Sequence, residues 1–159
     1  MTNRSWPALI GFIVLVAAVS ALGGAITTTS VGTWYQTLDK PSWTPPGWLF
    51  GPVWTLLYAM MSVVAWRLWR VRSESSAARV TLALWFGQLA LNGAWSFLFF
   101  GLRSPAAGLV DIVALLGVIL WIQVRLARFD RMLALLWSPY VVWVGFATAL
   151  NLSIWLRQS

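Results

Sequence analysis

Five apolar runs, each long enough to cross a lipid bilayer and separated by short breaks that hold nearly all the charge, constrain this chain more than anything else in it. A spanning helix needs about 20 consecutive, mostly apolar residues. The runs at 6–26, 48–69, 80–102, 105–126 and 132–156 meet that length. They are too long and continuous for the alternating strands of about ten residues that build an outer-membrane barrel. Composition excludes the soluble alternative, since 60% of the 159 residues are hydrophobic and 9% are charged. A soluble domain carries about 25% charged residues, because a small domain leaves much of its surface in water. The expected fold is an all-α integral membrane protein, a single domain over residues 1–159. It forms a bundle of five transmembrane helices with a long ordered loop between the first two.

The first run has a second reading. Arg4, an apolar stretch and the small residues at 21–25 resemble a cleaved signal peptide, whose loss would leave four spans. The length of the run favours a span. The joints are readable as well. Residues 70–78 form a short polar connection, Arg103-Ser104-Pro105 a tight turn with proline at the start of the next helix, and 128–131 another turn. Pro139 falls inside the fifth run, where it should kink the helix or loosen one hydrogen bond. With alternating spans, Arg4, Arg67, Arg70, Arg72, Arg79, Arg125, Arg128 and Arg131 share one side, and Lys40, Arg103 and Arg157 the other. That asymmetry places the N-terminus in the cytoplasm and the C-terminus outside. Because the basic residues flank spans rather than form a stripe, the charge of +7 is a topology signal and no nucleic-acid partner is expected. The bias of arginine over lysine points to a GC-rich bacterial source, with inner or outer membrane left open.

The chain has no cysteine and no histidine. Disulfides, thiolate zinc sites, cysteine nucleophiles, histidine triads and histidine-ligated metals are therefore excluded, and no metal site or resident cofactor is expected. Asp111, about two turns into the fourth span, reads as a carboxylate satisfied by a serine, a tryptophan, the backbone or water, since a lone acid without a basic partner makes a poor relay.

Three helical faces carry polar groups that lipid would penalise. In the third span Gln88, Asn92, Trp95, Ser96 and Phe99 share one face. In the fifth, Tyr140, Trp143, Ala147, Leu150 and Asn151 do so, and in the second Trp54, Tyr58, Met61 and Ala65. Together they describe an aromatic cavity with a few amides, suited to a large, flat, mostly apolar ligand. The alternative is core packing with an interhelical hydrogen bond at Asn92. The back of the third span carries Ala83, Gly87, Ala90 and Ala94, a small-residue stripe that reads as a homodimer interface or as packing against a neighbouring helix of the same chain.

The connection at 27–47 is long for a helix–helix loop. Its second half is Trp34-Tyr35-Gln36-Thr37-Leu38-Asp39-Lys40-Pro41-Ser42-Trp43-Thr44-Pro45-Pro46-Gly47-Trp48. Prolines stiffen it and aromatic side chains give it surface, so it reads as a lid over the helix ends rather than an interfacial belt. This run, continued through Pro52-Val53-Trp54-Thr55-Leu56-Leu57-Tyr58, resembles the TspO/MBR family of translocator proteins, also called peripheral benzodiazepine receptors. Gln88 to Trp95, Pro139 to Trp143 and Ala147 to Asn151 match it too, in the expected order. The resemblance implies a five-helix, usually dimeric membrane bundle that binds porphyrins, and often sterols or benzodiazepine-type drugs, in tetrapyrrole handling or stress responses.

Tyr35, Trp54, Asn92, Trp143 and Ala147 match the family's ligand positions. With Trp43, Tyr58, Trp95 and Asn151 they form the expected ligand-binding set. A metal-free porphyrin is the favoured ligand, its propionates meeting Lys40, Arg103 or loop N–H groups. Two alternatives stand beside a receptor or carrier: a light-dependent porphyrin-degrading enzyme using Trp54 and Trp143, and a structural or signalling scaffold. The tail from Leu150 to Arg157 lacks the tyrosine of the loose sterol pattern, so cholesterol binding rests on the resemblance alone.

Overall fold

The computed structural model describes residues 5–158, so Arg4 of the charge count lies outside them. Its five long helices are α1 (Trp6–Val31), α3 (Phe50–Val71), α4 (Ser76–Ser96), α5 (Pro105–Phe129) and α6 (Arg131–Arg157), with a short α2 (Trp34–Thr37) between α1 and α3. A 3₁₀ turn, Gly47–Leu49, leads into α3, and a π-helical turn, Phe97–Gly101, extends α4. Each of the five expected spans corresponds to a helix long and apolar enough to cross a membrane. The chain is an all-α membrane protein.

The joints are set by capping chemistry. Ser75 accepts a hydrogen bond from the Ala78 amide, Ser104 from that of Ala107, and Asp130 from those of Met132 and Leu133. Each satisfies backbone donors that a helix start leaves open. Asp130 is the single residue between α5 and α6, so these two helices form a tight antiparallel hairpin, the most extensive packing in the bundle. α4 lies along α5, α1 along α3 and α4, and α3 also reaches α6. Trp85, Met61, Ile119, Ile122 and Tyr140 fill the middle. Val110 (75% exposed) and Val142 (72%) face outward, as side chains that meet lipid do.

One expectation needs correction. The first span ends at Val31 rather than near residue 26, which shortens the connection to Gly32–Pro46 with α2 inside it. Thr27, Thr28 and Thr29 look like loop residues by propensity. Their hydroxyls instead bond back to the carbonyls of Gly23, Ala25 and Ile26, and Ser30 Oγ reaches the Phe100 carbonyl at 2.9 Å. Pro139 lies inside α6 as expected, and the helix runs on past it without an N–H at that position. The basic residues do separate to opposite ends of the bundle. Arg67 meets Asp130, and Arg125 meets Thr81 and Ala77, at one end, while Arg157 meets Asp39 at the other.

Candidate aromatic site between α3, α4 and α6

The centre of the site is a chain of hydrogen bonds across three helices. Tyr58 on α3 donates its hydroxyl to Asn92 Oδ1 on α4 at 2.7 Å. Asn92 Nδ2 donates to the Tyr140 hydroxyl on α6 at 3.0 Å, and Tyr140 donates in turn to Gln88 Oε1 at 2.7 Å. The helical faces require this. Asn92 and Gln88 are one turn apart on α4, and in an apolar medium amides and phenols bond each other rather than remain open.

The chain of bonds ends on a free group. Among the described residues Gln88 Nε2 is buried with no partner, and so, outside the chain of bonds, are Trp143 Nε1 and Asp111 Oδ2. Asp111 is buried, and of the partners expected for it no serine, tryptophan or backbone group bonds it among the described residues.

Aromatic rings close around this network. Trp54 lies on Tyr58 at 5.3 Å and meets Tyr140 edge-on at 6.3 Å. Phe50 meets Trp143 at 5.7 Å, Trp143 lies beside Phe146, and Trp43 reaches down from the loop onto Phe146 at 5.6 Å. The expected cavity is thus a packed aromatic cluster, its rings in contact with one another. Two open surface grooves lie elsewhere, between α5 and α6 and beside Phe12.

Of the nine expected ligand residues, Trp43, Trp54, Tyr58, Asn92 and Trp143 converge here, and Ala147 packs against the adjoining core. Tyr35, Trp95 and Asn151 belong to a neighbouring cluster built on the π turn. Trp95 stacks on Phe99 at 5.0 Å, and Tyr35 packs on Phe100 at 5.5 Å. Trp95 Nε1 donates to Asn151 Oδ1, and Asn151 Nδ2 to the Pro105 carbonyl, so this amide is held on both sides by the protein itself. Asn151 is a tie between α4, α5 and α6. Tyr35 is also fixed. Lys40 Nζ donates to its carbonyl at 2.8 Å and lies over its ring, and burial pushes its phenol up. Lys40 is thereby engaged within the loop. Asp39, which pairs with Arg157 and accepts from Gln158 through its carbonyl, ties the loop to the end of α6.

Gln88, Tyr140, Phe50 and Phe146 were not among the nine. The first two share the polar faces of their helices, which was the available signal. The two phenylalanines carry no signal that separates them from lipid-facing ones.

Ala83, Gly87 and Ala90 are exposed, Ala94 is half-buried, and among the described residues nothing from another element approaches the Gly87 Cβ position within 4 Å. Most of the stripe therefore packs against no other helix of this chain.

The TspO/MBR family model matches residues 12–156. The chain is 46% identical over 152 residues to the tryptophan-rich protein TspO of Archaeoglobus fulgidus, covering 95% of this chain and 97% of that one. It is 39% identical over 155 residues to the translocator protein of Sus scrofa, covering 94% and 89%. It is 30% identical over 149 residues to the tryptophan-rich sensory protein of Cereibacter sphaeroides, covering 94% and 90%.

Proposed function

The chain belongs to the TspO/MBR family, and from that premise we propose that it is a membrane receptor or carrier for a porphyrin, held among α3, α4 and α6 beneath the loop. One observation carries the reading: two buried donors at the aromatic cluster, Gln88 Nε2 and Trp143 Nε1, have no partner among the described residues, and neither has Asp111 Oδ2, whose carboxylate lies within electrostatic reach of Tyr140. Each such group costs about 1–3 kcal/mol when left unmade. Two of the three are donors and one is an acceptor. A tetrapyrrole offers carboxylates for the former, pyrrole N–H groups for the latter, and a flat face for Trp54 and Trp143. The rings are packed, so the ligand enters by parting them. Trp43, exposed at the edge of the cluster, is placed to move first. Relatives named as a translocator and as a sensory protein support a receptor or sensor role.

The test is a titration of protoporphyrin IX into detergent-purified protein in the dark, followed by tryptophan fluorescence. The parent should show saturable quenching near one ligand per chain. Trp143→Ala and Asn92→Ala should each weaken it by about tenfold, the equivalent of one lost contact of about 1.4 kcal/mol. Trp6→Phe, on the far end of α1, should not change it. Quenching that never saturates, alike in parent and variants, would mean the dye dissolves in the micelle and the site is wrongly assigned.

We assign the exposed face of Ala83, Gly87 and Ala90 to contact with a second copy of the chain. Small side chains let two backbones approach closely, which is the main route to helix association in lipid.

A further inference from the structure

At the arginine-rich end an open groove of about 420 Å³ runs between α5 and α6, far from the aromatic cluster. Gln123, Ala127, Arg131, Ala134, Leu135 and Ser138 line it. Its floor is polar and incomplete. Gln123 Nε2 donates to the Ala134 carbonyl at 3.2 Å and to Ser138 Oγ at 3.4 Å, but Gln123 Oε1 is buried with no partner. The groove thus holds one acceptor without a donor among the described residues.

Its mouth is cationic. Several arginines at this end are engaged: Arg67 with Asp130, Arg125 with Thr81 and Ala77, and Arg72 with the Trp69 carbonyl and ring. Arg131 makes no ion pair or hydrogen bond among the described residues, and it opens onto the groove. The walls are apolar and outward-facing, with Leu135 66% exposed.

A cation at the rim, an unpartnered acceptor below it and a lipid-facing apolar wall define complementary chemistry. The occupant has an anionic phosphate, a hydroxyl donor close to it and an acyl chain. We infer that the α5–α6 groove binds one anionic phospholipid with a hydroxylated headgroup, of the phosphatidylglycerol kind. The phosphate sits on Arg131, a headgroup hydroxyl donates to Gln123 Oε1, and an acyl chain lies along Leu135 and Ala127. A soluble phosphate ester would leave the apolar wall uncovered, and a zwitterionic choline lipid offers the acceptor no O–H or N–H.

Native mass spectrometry of the detergent-purified chain tests this with three lipids at equal concentration: phosphatidylglycerol, phosphatidylcholine and phosphatidylmethanol, which is anionic but has no headgroup hydroxyl. The parent should retain one phosphatidylglycerol per chain. Arg131→Gln should lower that retention roughly fivefold, the contribution of one arginine near an anionic lipid surface. Arg128→Gln, a neighbouring exposed arginine outside the groove, should leave it unchanged. Gln123→Leu should erase the preference for phosphatidylglycerol over phosphatidylmethanol. Equal retention by parent and Arg131→Gln, or equal losses in Arg131→Gln and Arg128→Gln, would overturn the site, the second by showing diffuse charge attraction. Equal retention of phosphatidylglycerol and phosphatidylmethanol by the parent would overturn the hydroxyl assignment. None of these readouts depends on porphyrin binding.

Discussion

Gly108 shows how tightly single residues are specified where the helices meet. A Cβ there would stand 2.9 Å from Phe99 Cδ2, 3.0 Å from its Cβ and 3.1 Å from Asn151 Oδ1. Phe99 has no room to yield, because it is stacked on Trp95 and edged by Phe100. Asn151 is held by Trp95 and Pro105. Gly108→Ala should therefore destabilise the bundle by about 1–3 kcal/mol, as overpacking does. Gly117→Ala on the same helix, where nothing lies within 4 Å, should be neutral or slightly stabilising. Thermal unfolding in detergent, followed by circular dichroism, separates the two. Equal melting of both variants would show that the π turn yields to the added methyl. Tryptophan N–H groups give a second residue-scale lesson. Trp85 and Trp137 are deeply buried and donate to the carbonyls of Met61 and Ile119, whereas Trp143 donates to nothing. Three tryptophans that look alike in the sequence thus separate into two struts and one open donor.

At the scale of elements, the loop and the π turn work as a unit. Trp34 and Tyr35 of α2 sit on Phe99 and Phe100, and Ser30 at the end of α1 holds the Phe100 carbonyl. π turns widen a helix by one residue, and here the widening presents two adjacent phenylalanines to the loop. The Asp39–Arg157 pair, 3.4 Å long and exposed on both sides, adds little, since such pairs contribute about 0–1 kcal/mol. Aromatic seating should dominate. Tyr35→Ala should speed hydrogen exchange of the 32–46 amides by tenfold or more, on the order of 1.4 kcal/mol, and Asp39→Ala should change it by less than about threefold. Comparable acceleration in both variants would make the ion pair the principal tether.

The whole molecule has three distinct surfaces: the loop-covered end with its aromatic cluster, the arginine-rich end with the α5–α6 groove, and the flank of α4 with its small residues. The flank is the surface proposed to hold a second copy. Gly87→Leu should convert the proposed dimer to monomer in light-scattering measurements while leaving the helix content intact, because the position is open within the chain. A variant that stays dimeric would move the interface off α4. The three surfaces share few side chains, so Gly87→Leu should leave lipid retention at Arg131 unchanged.

Much of this molecule was legible in the sequence, and the limit has a physical cause. Backbone groups must bond internally in lipid, so five apolar runs of spanning length imply five helices and their alternation. The segregation of arginines, the N-caps at Ser75, Ser104 and Asp130 and the polar face of Gln88 and Asn92 follow from local rules. What local rules could not decide is which side chains meet. The extension of α1 to Val31 depends on threonine hydroxyls finding carbonyls one turn back and on Ser30 finding Phe100, 70 residues away. Asn92 and Asn151, the same residue type on similar mixed faces, end in different places. Asn92 belongs to a chain of bonds that finishes on an open amide, while Asn151 is satisfied on both sides. Tyr35 and Trp143, grouped by resemblance, fall into adjoining clusters. Helical periodicity gives a residue its face and depth, but the rotation and separation of neighbouring helices choose its partner. Those are set by ridge-and-groove packing over whole helices, so only the tertiary structure decided which polar groups were matched and which were left without a partner.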